Sequence, residues 1–218
     1  MKTCHHQNCH KGLTFIEVLY VMAALAFVAL VILPRFRRAS SSAPRITCVN
    51  NLKIIGLSFR IYAGDHFDRY PMNISTNDKP VVNEATPVFQ YFQMIQNELG
   101  TQKMVVCPSD SKRTASKDFT NFSNKNISYF IGLDANENLP QTILAGDRNI
   151  TNGFAPRNGI LDLTTNQTVG FTDEIHLKQG NIALGDGSVQ QVSSARLRSE
   201  IIANTGMATN RIKLPELK

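Results

Sequence analysis

The sequence predicts an α+β protein, a long N-terminal helix followed by a domain of short strands and helices, on three observations. From Leu13 to Leu33 only Thr14, Glu17 and Tyr20 are polar. From Arg45 to Tyr62 the residues Ile46, Val49, Leu52, Ile55, Phe59 and Tyr62 recur at spacings of three and four, one apolar stripe of a helix. Beyond that stretch, short β-branched and aromatic runs alternate with Gly, Pro, Asn and Asp, the pattern of strands and turns. A striped helix laid on an antiparallel sheet buries both apolar faces.

The first segment is long enough to cross a bilayer. About 21 residues rising 1.5 Å each give about 31 Å, against a hydrocarbon core of about 30 Å. A buried core helix would seldom be apolar on every face for that length. An ordinary secretory signal has an apolar run of only about 7 to 15 residues with small residues at a cleavage site behind it. Here the run meets Pro34, Arg35, Phe36, Arg37 and Arg38. Glu17 is the odd residue: an intramembrane carboxylate costs roughly 2.5 to 3.5 kcal/mol at a helix centre, less near the interface, so it asks for a partner. Pro34 lacks an N–H and clashes with the preceding turn, and therefore predicts a kink.

Lys11 and Gly12 followed by Leu-Thr-Phe-Ile-Glu and a long apolar helix resemble the N-terminus of type IV prepilins and type II secretion pseudopilins. The resemblance implies cleavage by a membrane prepilin peptidase between Gly12 and Leu13, with N-methylation of Leu13. It also implies a charge pair between Glu17 and the new α-amino group of a neighbouring subunit, and a kink at Pro34. The order is then a leader at residues 1–12, a transmembrane and assembly helix at 13–34, and a pilin-like α+β domain at 35–218. The implied topology is a single pass through a bacterial inner membrane, N-terminus cytoplasmic, the domain periplasmic or in an extracellular fibre. The three arginines after Pro34 oppose this orientation by the positive-inside rule, which is statistical; Lys2 and Lys11 lie on the other flank. The motif takes precedence over that count.

In the leader, Cys4, Cys9, His5, His6 and His10 are soft-metal ligands without the paired CxxC spacing of a zinc module. Residues 39–44, ASSSAP, read as a flexible break before the second helical stretch, where Gly56 permits a close approach. CVNNLKIIGLSFRIYAGDHFDRYP then resembles the opening of a large pilin-like group typical of planctomycete and verrucomicrobial bacteria. Val88 to Leu99 reads as a short helix capped at Gly100, Met104 to Cys107 as a buried strand, and Pro108 to Asp110 as a turn. The same group often carries Cys-Pro-Ser-Asp at that place. Lys112 to Lys125 reads as loop and Ile127 to Leu133 as a strand. Asp134, Asn136 and Asn138 stand at alternate positions like the first ligands of a calcium loop. Leu139 and Ala145 fall where Gly and Glu would be needed, which favours an Asx-rich turn.

Gln141 to Asp147 and Val169 to Thr172 read as strands separated by loop, and Ser193 to Ala203 as a last short helix. Asn181 to Leu184 and Ser188 to Val192 flank Gly185-Asp186-Gly187, a hairpin signal in which both central residues take positive φ. His176 stands ten residues before Asp186, and this H-x9-D-G resembles the motif by which the pilin-like group is recognised. Extended geometry keeps His176 away from Asp186 unless residues 176–180 fold back. A structural role is expected, the imidazole bonding the backbone of a neighbouring loop and Asp186 capping its own turn. A divalent cation held with Asp173 or Glu174 is the alternative. With the leader removed, Cys48 and Cys107 are an even pair in a domain placed in an oxidising compartment. A disulfide closing a loop of about 60 residues is expected, with two buried free cysteines the other possibility.

The expected function is structural: a major or minor subunit of a type IV pilus-like or type II secretion pseudopilus fibre, partnered by other pilin-like subunits, the prepilin peptidase and the inner membrane. The alternative is a membrane-anchored binding module for a polysaccharide or polyanion. An enzyme is not expected: a hydrolase built on His176, Asp173, Glu174 and Asp186 lacks any nucleophile elbow, P-loop or HExxH. No cofactor or metal is expected. The net charge of +6 falls to +4 without Lys2 and Lys11, and no arginine cluster interleaves with aromatics, so nucleic acid is not an expected partner.

Overall fold

The apolar run and the apolar stripe that follows it lie on one helix. In the computed structural model, which describes residues 14–76, 79–80 and 84–216, α1 covers Phe15–Asp65. Residues 39–44 are helical and make no break, and Pro34 lies inside the helix. Serine and alanine tolerate helix, and a proline's missing bond is a local loss of about 3 kcal/mol that flanking turns absorb. The chain divides into two compact units, Met1–Ser42 and Ala43–Lys218. In the first, Phe15–Ile32 has a mean hydropathy of 2.6 and no buried residue; it is long and apolar enough to cross a membrane. Its start is a capping box: the Thr14 N–H donates to Glu17 Oε2 at 3.1 Å, and the Glu17 N–H donates to Thr14 Oγ1 at 3.4 Å. Gly12 and Leu13 lie outside the described residues, as do Cys4, Cys9, His5, His6 and His10.

The second unit is built on a six-stranded antiparallel sheet. Its strands are β3 (Tyr129–Gly132), β4 (Ile143–Asp147), β6 (Ile160–Leu163), β8 (Gln179–Leu184), β9 (Val189–Ser193) and β10 (Asn210–Lys213), in the order β6-β10-β3-β4-β8-β9. Two small hairpin-like pairs stand apart, β1 (Ser75–Thr76) with β2 (Lys79–Pro80), and β5 (Ile150–Thr151) with β7 (Gly170–Phe171). On one face the Ala43–Asp65 part of α1 buries Cys48, Leu52, Ile55, Phe59 and Ala63 in a cluster with Ile131, Leu144, Ala145 and Ala183. The short helices α2 (Val88–Met94) and α3 (Gln96–Leu99) add Tyr91, Phe92 and Leu99 to that cluster, and Gly100 ends α3 at φ 72°. The other face carries a second cluster of Phe130, Ile182, Leu163, Ile212 and residues from Leu197 to Ile202, a π-helical turn after α4 (Ser194–Arg196).

Three details differ from the sequence expectation. Ile46, assigned to the stripe, is exposed, while Asn51 and Ser58 are buried. Gln102–Val105 is a 3-10 turn capped by Thr101, not a strand; Val105 offers its carbonyl to Ser128 N–H at 2.9 Å but joins no ladder. Two strands have no counterpart in the expectation: β6, which follows the supposed loop NITNGFAPRNG (itself holding β5), and β10, near the C-terminus, which pairs between β6 and β3. These two are short ILDL and NRIK segments whose apolar alternation is too brief to stand out.

Candidate functional site

The candidate site is the seam where β8 runs beside the Ala43–Asp65 part of α1. The ten-residue interval between His176 and Asp186 is filled mainly by β8, six residues or about 20 Å of strand. On the helix, Cys48 and Arg60 are separated by about 18 Å of rise. The two lengths match: Arg60 of the helix donates to the turn after β8, and Arg45 of the helix donates to Gln179 at the start of β8, one turn before Cys48.

At the upper end is the Gly185-Asp186-Gly187 turn. Gly187 takes φ 81°; Asp186 does not take positive φ, so only one of the two central residues needs the freedom expected of both. Asp186 Oδ1 accepts from the Ser188 N–H at 2.8 Å, capping its own turn. Arg60 Nη1 donates to the Asp186 carbonyl at 2.9 Å and Tyr70 Oη donates to the Gly185 carbonyl at 2.7 Å. Gly56 faces Gly187: a Cβ on Gly56 would lie 3.4 Å from Gly187 Cα, so helix and turn meet at ordinary contact distance.

At the lower end Cys48 of α1 is bonded to Cys107, with a Cα–Cα distance of 5.1 Å and a sequence separation of 59. The His176 imidazole, 3% exposed, sits against this bridge: Nε2 is 3.4 Å from Cys107 Sγ and 3.6 Å from Asp147 Oδ2. It therefore meets a disulfide and a carboxylate rather than loop backbone. Asp147, at the end of β4, is fully buried; its Oδ2 accepts from Asn181 N at 2.8 Å and Asn181 Nδ2 at 2.9 Å, while Oδ1 has no partner. Burial raises the Asp147 carboxyl to about 7, partly offset by the Asn181 hydrogen bonds, and burial lowers His176 to about 4. Burial thus sets a neutral imidazole beside a carboxyl that resists ionisation, a pair that folding keeps from both being charged.

The backbone that delivers His176 is itself unusual. His176, Leu177 and Lys178 take φ of 56°, 50° and 60°, three successive left-handed residues without glycine. Each costs of order 1 to 2 kcal/mol, so the surroundings must hold the turn. Asn149 does so through Nδ2, which donates to the carbonyls of Thr172, Ile175 and Gln179.

Next to it lies an ion network that sequence spacing did not reveal. Arg148 grips Asp110 with Nε and Nη2, both at 2.7 Å, and reaches Glu174 with Nη1 at 2.6 Å; Lys112 Nζ holds the other Glu174 oxygen at 2.7 Å. Lys112, then Arg148, hold Glu174 below the usual carboxylate range. Glu174 is thus committed to cations, and the exposed Asp173 to Lys178 at 3.8 Å, so neither joins His176. The Cys-Pro-Ser-Asp segment could have pointed here only through its buried Asp110, which needs a cation. Asp134 likewise pairs with Arg211, and Asn136 Oδ1 accepts from Asn138 N–H as an Asx turn.

No family model, curated protein or solved structure matches this chain.

Proposed function

We propose that the protein is a structural subunit of a type IV pilus-like or type II secretion pseudopilus fibre, with a pilin-like domain carried on a cleaved and N-methylated helix. The observation that carries the reading is the run Phe15–Ile32: eighteen residues with mean hydropathy 2.6, none buried, directly behind Gly12-Leu13 and opened by Glu17. Such a surface needs lipid first, and then the equivalent helices of other subunits, where burial of apolar area drives assembly. The Cys48–Cys107 bridge supports an oxidising compartment for the domain, hence one inner-membrane pass with a cytoplasmic N-terminus. The seam around His176 and Asp186 serves stability in this reading, joining β8 to the helix at both ends.

The test is N-terminal sequencing of the protein from membranes and from a sheared fibre fraction. A methylated N-terminus at Leu13, present in sedimentable fibres, is the expected result. A mature start beyond Leu33 would mean an ordinary secreted protein, and a Leu13 start with no polymer would favour an anchored binding module. Gly12→Val should leave a full-length membrane-held precursor, since a side chain obstructs backbone approach at the cut.

A further inference from the structure

We infer that Cys48, Cys107, His176 and Asp147 form a divalent zinc site in the reduced chain, one that cross-links the helix to the sheet before the disulfide is made. The three soft ligand atoms, both sulfurs and an imidazole nitrogen, already lie within 4.8 Å of one another. A tetrahedral zinc with bonds of about 2.0 to 2.3 Å separates neighbouring ligand atoms by about 3.3 to 3.8 Å. His176 Nε2 stands 3.4 Å from Cys107 Sγ, so one edge of that tetrahedron exists already, and the Asp147 carboxylate adjoins it, with Oδ2 3.6 Å from the same nitrogen. The sulfurs must part, by side-chain rotation about cysteines whose Cα atoms are 5.1 Å apart, and the Asp147 carboxylate must swing toward them, since only the three soft ligand atoms share the 4.8 Å cluster.

A second observation points to a cation independently of the cysteines. Asp147 is wholly buried, and its Oδ1 has no hydrogen-bond partner. A carboxylate left so is costly, and presenting Oδ1 to a metal, while Oδ2 keeps its Asn181 hydrogen bonds, removes that cost. Asn181, donating twice to Oδ2, is placed to orient the ligand from behind. Two thiolates and a carboxylate around Zn²⁺ leave one negative charge. Arg45 lies close enough to act electrostatically on both Asp147 and His176, with the sign that stabilises it.

The chemistry balances with a dithiol reductant. The reductant supplies two electrons and two protons, breaking the S–S bond and becoming a disulfide itself. Zn²⁺ then displaces one proton from each cysteine thiol. The ligands are buried in the folded protein, so the ion enters as the chain folds.

The test uses the full chain in detergent with Cys4→Ser and Cys9→Ser, so that no leader thiol contributes. The protein is unfolded, reduced, and refolded under a non-thiol reductant with Co²⁺ as probe. Expected are one cobalt per chain, the intense visible bands and sulfur-to-metal charge transfer of a tetrahedral thiolate site, displacement by zinc, and loss of the spectrum when an oxidant recloses the disulfide. His176→Ala and Asp147→Asn should each weaken cobalt binding at least about tenfold. The inference fails if the reduced chain shows a folded circular dichroism spectrum without the cobalt bands, if it refolds no better with metal than without, or if both variants bind cobalt as the parent does.

Discussion

Two stretches of the same helix show opposite solutions to hydrophobicity. Phe15–Ile32 is apolar on all sides and no residue of it is buried, whereas between Cys48 and Ala63 one stripe, Cys48, Leu52, Ile55, Phe59 and Ala63, is buried while Ile54, Leu57 and Ile61 stay exposed. The first stretch has its polar groups at its tip, where Thr14 and Glu17 satisfy each other. The second brings a disulfide, an imidazole and a buried carboxyl into its seam. A helix that owes its stability to its surroundings must wait for membrane or neighbours; one that carries its cross-links internally holds its own domain together. The contrast predicts that damage to one stretch leaves the other's behaviour intact.

The largest effect is expected at the bridge. Cys48→Ala with Cys107→Ala should destabilise the domain by about 4 kcal/mol on the loop-entropy estimate, without changing membrane partition. Denaturant unfolding of the oxidised and double-variant proteins in detergent measures it. If the midpoint barely moves, the seam does not rest on the bridge.

That bridge was legible because only Cys48 and Cys107 of the four cysteines lie beyond residue 12; its neighbours were not. His176 and Asp186 were visible as a motif, but spacing alone could not say that the interval is the length of a strand pinned at both ends. Asp147 lay inside an apolar run, QTILAGD, where a terminal aspartate looks like a strand's polar end rather than a buried group. Arg148 and Asp110, far apart in sequence, meet only through tertiary folding. The helix was legible from its period, though the exposed Ile46 shows that a stripe's edge depends on where the sheet stops. β6 and β10 escaped because four-residue strands carry little periodic signal.

The second effect concerns pH in the disulfide-bonded protein, measured with a chelator present. A carboxyl raised from 3.8 to about 7 makes the folded state hold a proton that the unfolded state has lost, so Asp147 alone lowers stability as pH rises from about 4 to 7. A histidine lowered from 6.5 to about 4 does the reverse, weakening the fold as pH falls through that range. The two slopes, each about 1.4 kcal/mol per pH unit, oppose one another between about 4 and 6.5, and the parent should be nearly flat there. His176→Gln should unmask the Asp147 slope, so that stability falls toward neutral pH; Asp147→Asn should unmask the opposite slope. A flat profile in both variants would dismiss the buried pair as a source of pH dependence.

The third effect falls on the exposed stretch. Leu25→Arg places a charge near the middle of the apolar run and should cost roughly 2.5 to 3.5 kcal/mol of insertion. Membrane fractionation should show the variant shifted out of the bilayer while the domain's disulfide still forms on refolding. An unchanged membrane share would mean that the run does not span.

The smallest energetic effect is at the tip of the helix, where it separates two explanations of Glu17. As a capping residue, Glu17 fills the Thr14 N–H while Thr14 fills the Glu17 N–H, an arrangement worth about 1 kcal/mol at a helix start. As an assembly residue it supplies a negative charge to the α-amino group of a neighbour. Glutamine keeps the cap, because its side-chain oxygen accepts the same hydrogen bond, but it removes the charge. Glu17→Gln should therefore insert as well as the parent, or better, yet fail to appear in sheared fibres. Thr14→Ala, which loses the cap and keeps the charge, should still polymerise. If the two variants behave in the reverse way, Glu17 is present to begin the helix, and the fibre must find its register elsewhere.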